Sequence, residues 1–392
     1  MRREKISRRI GLSAAGESDQ TKEPAANNRA IVKYAFGFCV LFVVLLIARV
    51  DAATYYVSTS GNDSNPGSPD QPFRNILTAY DLTNPGDTVI IMPGSYSETY
   101  DDYGLRLNRS GLPGSPITIK SAEKWEATLD GQTDYSHGYV VWMDGEYNVL
   151  EGFVVTNGSS GGIWMDGVGN VVRNNEVHHN GNGGDPASPY GQNGIFSAAG
   201  IGHQYIGNYI HHNGRIQWDS NLDHGLYLCA DDELDANNIV TNNSGMGLQI
   251  AGYDTVSNMR VYNNVFAFNG GAGVLLWKAM GAVDIKNNIT YYNGLGIGTY
   301  GAHGWGVVVE NNLGFGDRQG FMNFGNDGTS SDLTYSLANN IEADPQFVNA
   351  GAKDFRLLSS SPAINSGAYI SEIITNATQG LLGTSYDIGA YE

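Results

Sequence analysis

The chain has 392 residues, 40 of them acidic and 22 basic, with a formal net charge of −18 and only 2 cysteines. That charge argues against a nucleic-acid-binding protein and against one drawn to anionic membrane surfaces, because its field repels both. Cys39 lies in the apolar N-terminal region and Cys229 far from it, so a body freed of that region forms no intrachain disulfide.

Residues 1–52 read as a signal peptide or N-terminal anchor. They are polar and basic up to Lys33. Residues 35–48 are then almost all apolar, which is short for a membrane span and right for a signal core. Small residues at Ala52 and Ala53 offer a cleavage point. The body is therefore expected outside the cytoplasm, touching a membrane only if this segment is retained. Beyond Ala52 there are 13 basic and 35 acidic residues, a net charge of −22. Such a field also opposes an anionic polysaccharide at long range, until salt or divalent cations screen it.

Residues 53–116 are expected to form an N-terminal cap and the first coils. Residues 72–79 have the pattern of a short amphipathic helix, and an open solenoid end needs such a cover. Residues 117–340 carry a repeat. Its core runs through 171–312, where Asn174-Asn175 returns as Gly207-Asn208, Asn237-Asn238, Asn263-Asn264, Asn287-Asn288 and Asn311-Asn312. These copies start 33, 30, 26, 24 and 24 residues apart, and in the first five a further Asn follows the second Asn by five residues. Short β-rich runs such as Val274-Leu275-Leu276 lie between polar corners, with no apolar period of helical length. A period in the twenties with fixed Asn and Gly predicts a stacked solenoid of three short strands per turn. A buried corner Asn can bond the Asn one coil away, and Gly at the next corner tolerates a left-handed backbone. Residues 341–392 loosen the pattern and are expected to be a C-terminal cap.

This repeat resembles the right-handed parallel β-helix repeat proteins, many of them secreted polysaccharide lyases, hydrolases and epimerases. The resemblance covers nearly all of the chain beyond the leader. It implies an all-β, single-stranded right-handed parallel β-helix, with a short helix in the N-terminal cap and an irregular C-terminal cap. It is specific for the fold and weak for the reaction.

The strand after each corner Gly can be aligned from Gly162-Ile163-Trp164 to Gly296-Ile297-Gly298. Ile163, Ile195, Leu226, Leu248, Val274 and Ile297 should point inward. Alternation then sends Trp164, Phe196, Tyr227 and Gln249 outward in one column, with Cys229, Trp277 and Tyr300 in the next. Such an aromatic stripe suits stacking against sugar rings. Residues 182–193 and 215–224 are insertions entering this strand from adjacent coils, and the second contains Trp218 and Asp219.

A lyase acting on a uronate must neutralise the carboxylate, take the C5 proton and protonate the leaving oxygen. Asp223-His224-Gly225-Leu226-Tyr227 offers His224 as base and Tyr227 as acid, with Arg215 as carboxylate clamp and Lys278 as the other candidate base. The alternative for His224 is a corner ring bonded to backbone, and for Lys278 a solvated turn. Some β-helix pectate lyases carry two Asp, Gly, an aromatic and a further Asp here, binding calcium. This chain has Asp223, His224, Gly225, Leu226 and Tyr227 instead, so most of that site is absent. A calcium ion could otherwise sit on Asp231, Asp232 and Asp235, which also fit a solvated acidic turn. His178-His179 and His211-His212 fall about 4.8 Å apart in adjacent coils and suit either a metal or a polar slot of the repeat. The expected protein is a monomeric, secreted polysaccharide lyase. The alternatives are a C5-epimerase, a glycoside hydrolase using Asp219, Asp223 and Asp166, and a non-catalytic carbohydrate binder.

Overall fold

The computed structural model describes residues 52–98, 104–132, 138–181, 191–215, 222–251, 255–325, 332–371 and 386–390. The leader and the tip of each long insertion, with Trp218 and Asp219, lie outside the described residues. Among those described, the helical elements are one short α-helix, Ile76–Tyr80, and one 3₁₀ turn. Strands pair in parallel from coil to coil, giving a β-solenoid of about eight turns. The 19-stranded sheet combines two stacked series of strands that join at the long strand Leu295–Glu310, and a separate 10-stranded sheet forms a third series.

The lumen is apolar because alternate residues of each strand enter it. Ile163, Ile195, Leu226, Leu248, Val274 and Ile297 are all fully buried, as the alternation predicts. At the N-terminal end Tyr80 closes the lumen. Its hydroxyl takes the Arg109 N–H (2.8 Å) and lies 3.2 Å from Asn148 Oδ1. Residues of the C-terminal segment lie against the smaller sheet: Phe355, Leu357, Ala363 and Ile388 pack with Val265, Ile289 and Leu313.

Two asparagine ladders run through the corners. Asn208 Oδ1 accepts the backbone N–H of Asn175 (3.0 Å), and Asn208 Nδ2 donates to Asn238 Oδ1 (3.0 Å). The series continues through Asn264, Asn288 and Asn312 to Asn340. The second ladder runs from Asn180 through Asn213, Asn243, Asn269 and Asn293, and ends on Asp317.

The first Asn of each pair has a separate task. Asn174, Asn237, Asn263, Asn287 and Asn311 hold φ between 54° and 60°, the left-handed region Asn tolerates, and Gly207 takes that place in its copy. Glycine supplies the left-handed corner at Gly181 and Gly214 but not at Gly270 or Gly294. The strand glycines are required by crowding instead. A Cβ on Gly225 would lie 2.7 Å from the carbonyl oxygen of Gly247 and 2.8 Å from Asn243 Nδ2.

Candidate active site

The outward column expected from alternation is longer than the glycine alignment indicates. Strand register places Arg106, Trp142, Trp164, Phe196, Tyr227, Gln249 and Leu275 side by side. Trp142 and Trp164 stack with ring centres 4.3 Å apart and 13° between planes. Phe196 meets Trp164 edge-on at 4.7 Å and stacks on Tyr227 at 5.2 Å. Tyr139 is buried beneath them, its ring edge-on to Trp164 at 5.2 Å. The strand Tyr139–Met143 alternates like its neighbours but has Val140 at the register position of Gly162, so the glycine alignment misses Trp142 and Tyr139. Gln249 shares the column yet is only 4% exposed, so it closes the stripe and does not extend it.

Polar groups edge this stripe at its N-terminal end. Arg106 Nε and Nη2 both donate to Asp144 Oδ2, at 2.9 and 2.5 Å. Trp164 Nε1 donates to Asp166 Oδ2 at 2.8 Å. Burial pushes the Asp166 carboxyl above its ordinary range, opposed by the Trp164 bond and aided by the charge of Asp144.

Further along, the Tyr227 hydroxyl bonds the Cys229 thiol, and the Lys278 ammonium acts on the same thiol through its charge. Burial pushes that thiol up to about 12, so it is a protonated neighbour and no nucleophile. Lys278 sits at a register shift in the strand Ala272–Met280 with φ 70°, uncommon for a side chain with a Cβ. Its Nζ lies 4.1 Å from the Trp277 ring centre. Trp277 pairs in register with Tyr300, which is 56% exposed. The outward column and the neighbouring column therefore run side by side, with Lys278 on the strand two coils beyond Tyr227.

The insertion residues are placed differently from the expectation of an open base and clamp. Asp223 is fully buried, Arg215 is 5% exposed and His224 1%. Asp223 Oδ2 accepts the Arg215 backbone N–H (3.0 Å) and Nε (2.8 Å). Its Oδ1 accepts Arg215 Nη2 (2.7 Å) and the Gln192 N–H (3.0 Å). The pair is a buried, charge-assisted brace at the root of the loop. His224 Nδ1 accepts the Met246 N–H at 3.3 Å, and burial lowers its pKa to about 4 despite the charge of Asp223. That is the corner histidine bonded to backbone; its ring reaches the stripe only by an edge contact 5.3 Å from the Tyr227 ring centre.

The carboxylates considered for calcium do not fit that ion. Asp223 has both oxygens engaged by donors. Asp235 faces the lumen, in register between Tyr205 and Val261. Asp231 accepts the Ser257 N–H, and Asp232 pairs with Arg260 at 2.8 Å. No three His, Cys, Asp or Glu of the described residues converge on one metal position.

Comparison with known proteins gives consistent matches. The family described as "Pel9A-like, right handed beta helix region" matches residues 55–220. Pectate lyase L of Dickeya dadantii (strain 3937) is 24% identical over 394 residues, spanning 86% of this chain and 90% of the relative. Pectate lyase PEL9 of Emericella nidulans is 29% identical over 100 residues, 26% of this chain and 22% of the relative. The crystal structure of pectate lyase Pel9A covers 88% of this chain and 97% of its own, with a TM-score of 0.58 and 19% identity, a likeness of fold. The chain is thus a right-handed parallel β-helix protein, similar in sequence to pectate lyases and in fold to one of them. Within that class its similarity runs to the Pel9A-type pectate lyases.

Proposed function

We propose that this protein is a polysaccharide lyase that cleaves a uronate-containing polymer by β-elimination, with the sugar chain lying along the stripe from Trp142 to Tyr227. The observation that carries the site is the stripe itself, with Trp142, Trp164, Phe196 and Tyr227 side by side and Lys278 on the strand two coils beyond Tyr227. Lys278 takes the C5 proton. The electrons form the C4–C5 double bond as the C4–oxygen bond breaks, and the Tyr227 phenol gives its proton to the leaving oxygen. Trp142, Trp164 and Phe196 hold sugar faces, and Trp277 and Tyr300 continue the platform past Lys278. Asp223, Arg215 and His224 position the loop. Trp218 is assigned to the substrate wall on its place in the insertion.

No step runs through calcium, because Asp223, Asp231, Asp232 and Asp235 do not fit it. Activity that disappears with a chelator and returns only with calcium would assign the ion to other ligands. The protein acts outside the cytoplasm as a monomer, released or held by residues 1–52.

One observation favours a hydrolase as second reading. Asp166, raised by burial, neighbours Asp144, which Arg106 holds, and an acid beside a paired carboxylate is the arrangement glycosidases use. Incubation with uronate and neutral polymers separates the two. A new ultraviolet-absorbing unsaturated end is expected; reducing ends without that absorbance identify a hydrolase, binding without either a non-catalytic binder, and a changed uronate composition in an intact chain an epimerase.

A further inference from the structure

The paired histidines of the repeat form a structure the sugar site does not use. His178-His179 and His211-His212 occupy matching positions in adjacent coils, at the edge of the smaller sheet. Their rings stack coil on coil, His178 on His211 at 5.0 Å and His179 on His212 at 5.2 Å between centres. Within each pair the two Nδ1 atoms converge, at 2.7 Å in the first and 2.8 Å in the second. His179 and His212 each hold φ 53°, so the left-handed corner turns each ring toward its chain neighbour.

Four imidazoles are too far apart across the coils to share one ion. A first-row ion sits about 2.0–2.1 Å from an imidazole nitrogen. It therefore fits both nitrogens of one pair but cannot span stacked rings 5.0 Å apart. With nitrogens 2.8 Å apart the angle at the metal is close to a right angle. That suits a tetragonal or octahedral ion with nitrogen and oxygen ligands, copper(II) or nickel(II), better than tetrahedral zinc.

We propose that His211 and His212 chelate a copper(II) or nickel(II) ion through their Nδ1 atoms, with water in the remaining positions. Two protein donors accord with the absence of any three-ligand group among the described residues. His211 Nε2 lies 3.1 Å from Glu176 Oε1. A proton on Nε2 donated to that carboxylate leaves Nδ1 as the basic nitrogen, the arrangement that orients metal-binding histidines. His212 needs only to move its proton from Nδ1 to Nε2. The His178–His179 pair is the weaker site: Thr156 Oγ1 also reaches His178 Nδ1, at 3.3 Å, and a second ion one coil away is repelled by the first. Lys353, whose charge acts on His212, limits the affinity; Glu176 opposes it.

The test is titration of the whole protein with copper(II) or nickel(II) alone, by calorimetry and by electron paramagnetic resonance of the copper form. One tight equivalent with two coupled imidazole nitrogens is expected. Asn157 and Asn242 occupy the same left-handed corner in flanking coils, with φ 61° and 56°, so His212→Asn keeps the backbone. It should weaken binding at least tenfold while leaving the unfolding temperature unchanged without metal. Glu176→Gln should cost about 10–100-fold in affinity. Equal binding by wild type and His212→Asn overturns the proposal, as does no binding by wild type, or a site lost instead by His303→Asn.

Discussion

At the scale of single residues, proton transfer, stacking and bracing have different signatures. Lys278→Ala and Tyr227→Phe should each lower kcat about 10²–10⁴-fold, the usual loss for a positioned proton-transfer group, with KM nearly unchanged. Trp164→Ala should instead raise KM, losing about 0.5–1.5 kcal/mol of stacking beyond the lost contact area. Steady-state kinetics on one polymer distinguishes these outcomes. Arg215 should announce itself in stability. Its guanidinium is the main partner of a fully buried Asp223, so Arg215→Ala should cost about 3–5 kcal/mol in denaturant unfolding. An Arg215→Ala protein as stable as wild type, with only its KM raised, would restore Arg215 to the role of substrate clamp.

At the scale of the repeating coil, the ladder makes position matter more than composition. Asn238 Nδ2 donates to the Tyr205 carbonyl and to Asp235, and its Oδ1 accepts the Asn208 N–H. Asn238→Leu strands several buried partners, each worth about 1–3 kcal/mol when left unsatisfied. Its neighbour Asn237 needs only a left-handed backbone, so Asn237→Gly should be nearly neutral and Asn237→Val destabilising, by thermal unfolding. The ladder and the inward strand residues were legible because each rests on a fixed interval, five residues from Asn to Asn or two along a strand. The outward stripe from Trp164 to Tyr227 was legible for the same reason. Trp142 was hidden because Val140 stands two residues before it, where the aligned strands carry Gly. The burial of Asp223, Arg215 and His224 was hidden because sequence gives a loop its residues but not the direction in which it folds back. Asp235 looked like part of an acidic turn because alternation over the three residues of Leu234–Ala236 is too short to read.

At the scale of the whole molecule, an acidic protein also buries acids in its lumen. Glu233 and Asp235 are each raised to about 8 by burial, Glu233 Oε1 taking the Tyr205 hydroxyl at 2.8 Å and Asp235 Oδ1 the Asn238 amide at 2.6 Å. Glu233 Oε2 and Asp235 Oδ2 are buried without a partner. A carboxyl whose pKa is higher folded than unfolded favours the fold in its protonated form. Its stabilisation is therefore complete below the unfolded values of 4.5 and 3.8, falls as pH rises above them, and levels off above about 8. Unfolding temperature should decline across that window, and Glu233→Gln with Asp235→Asn should flatten the decline. A profile in the double variant as steep as that of wild type would place the titrating groups elsewhere.

The central claim assigns β-elimination along the stripe to Tyr227 and Lys278. It is tested most directly by following unsaturated product from a uronate polymer with the wild-type protein beside Lys278→Ala and Tyr227→Phe. The account predicts unsaturated ends from wild type and about 10²–10⁴-fold less from each variant, with polymer binding retained. Unsaturated ends formed equally by all three proteins, or none from wild type on any uronate polymer, would contradict it.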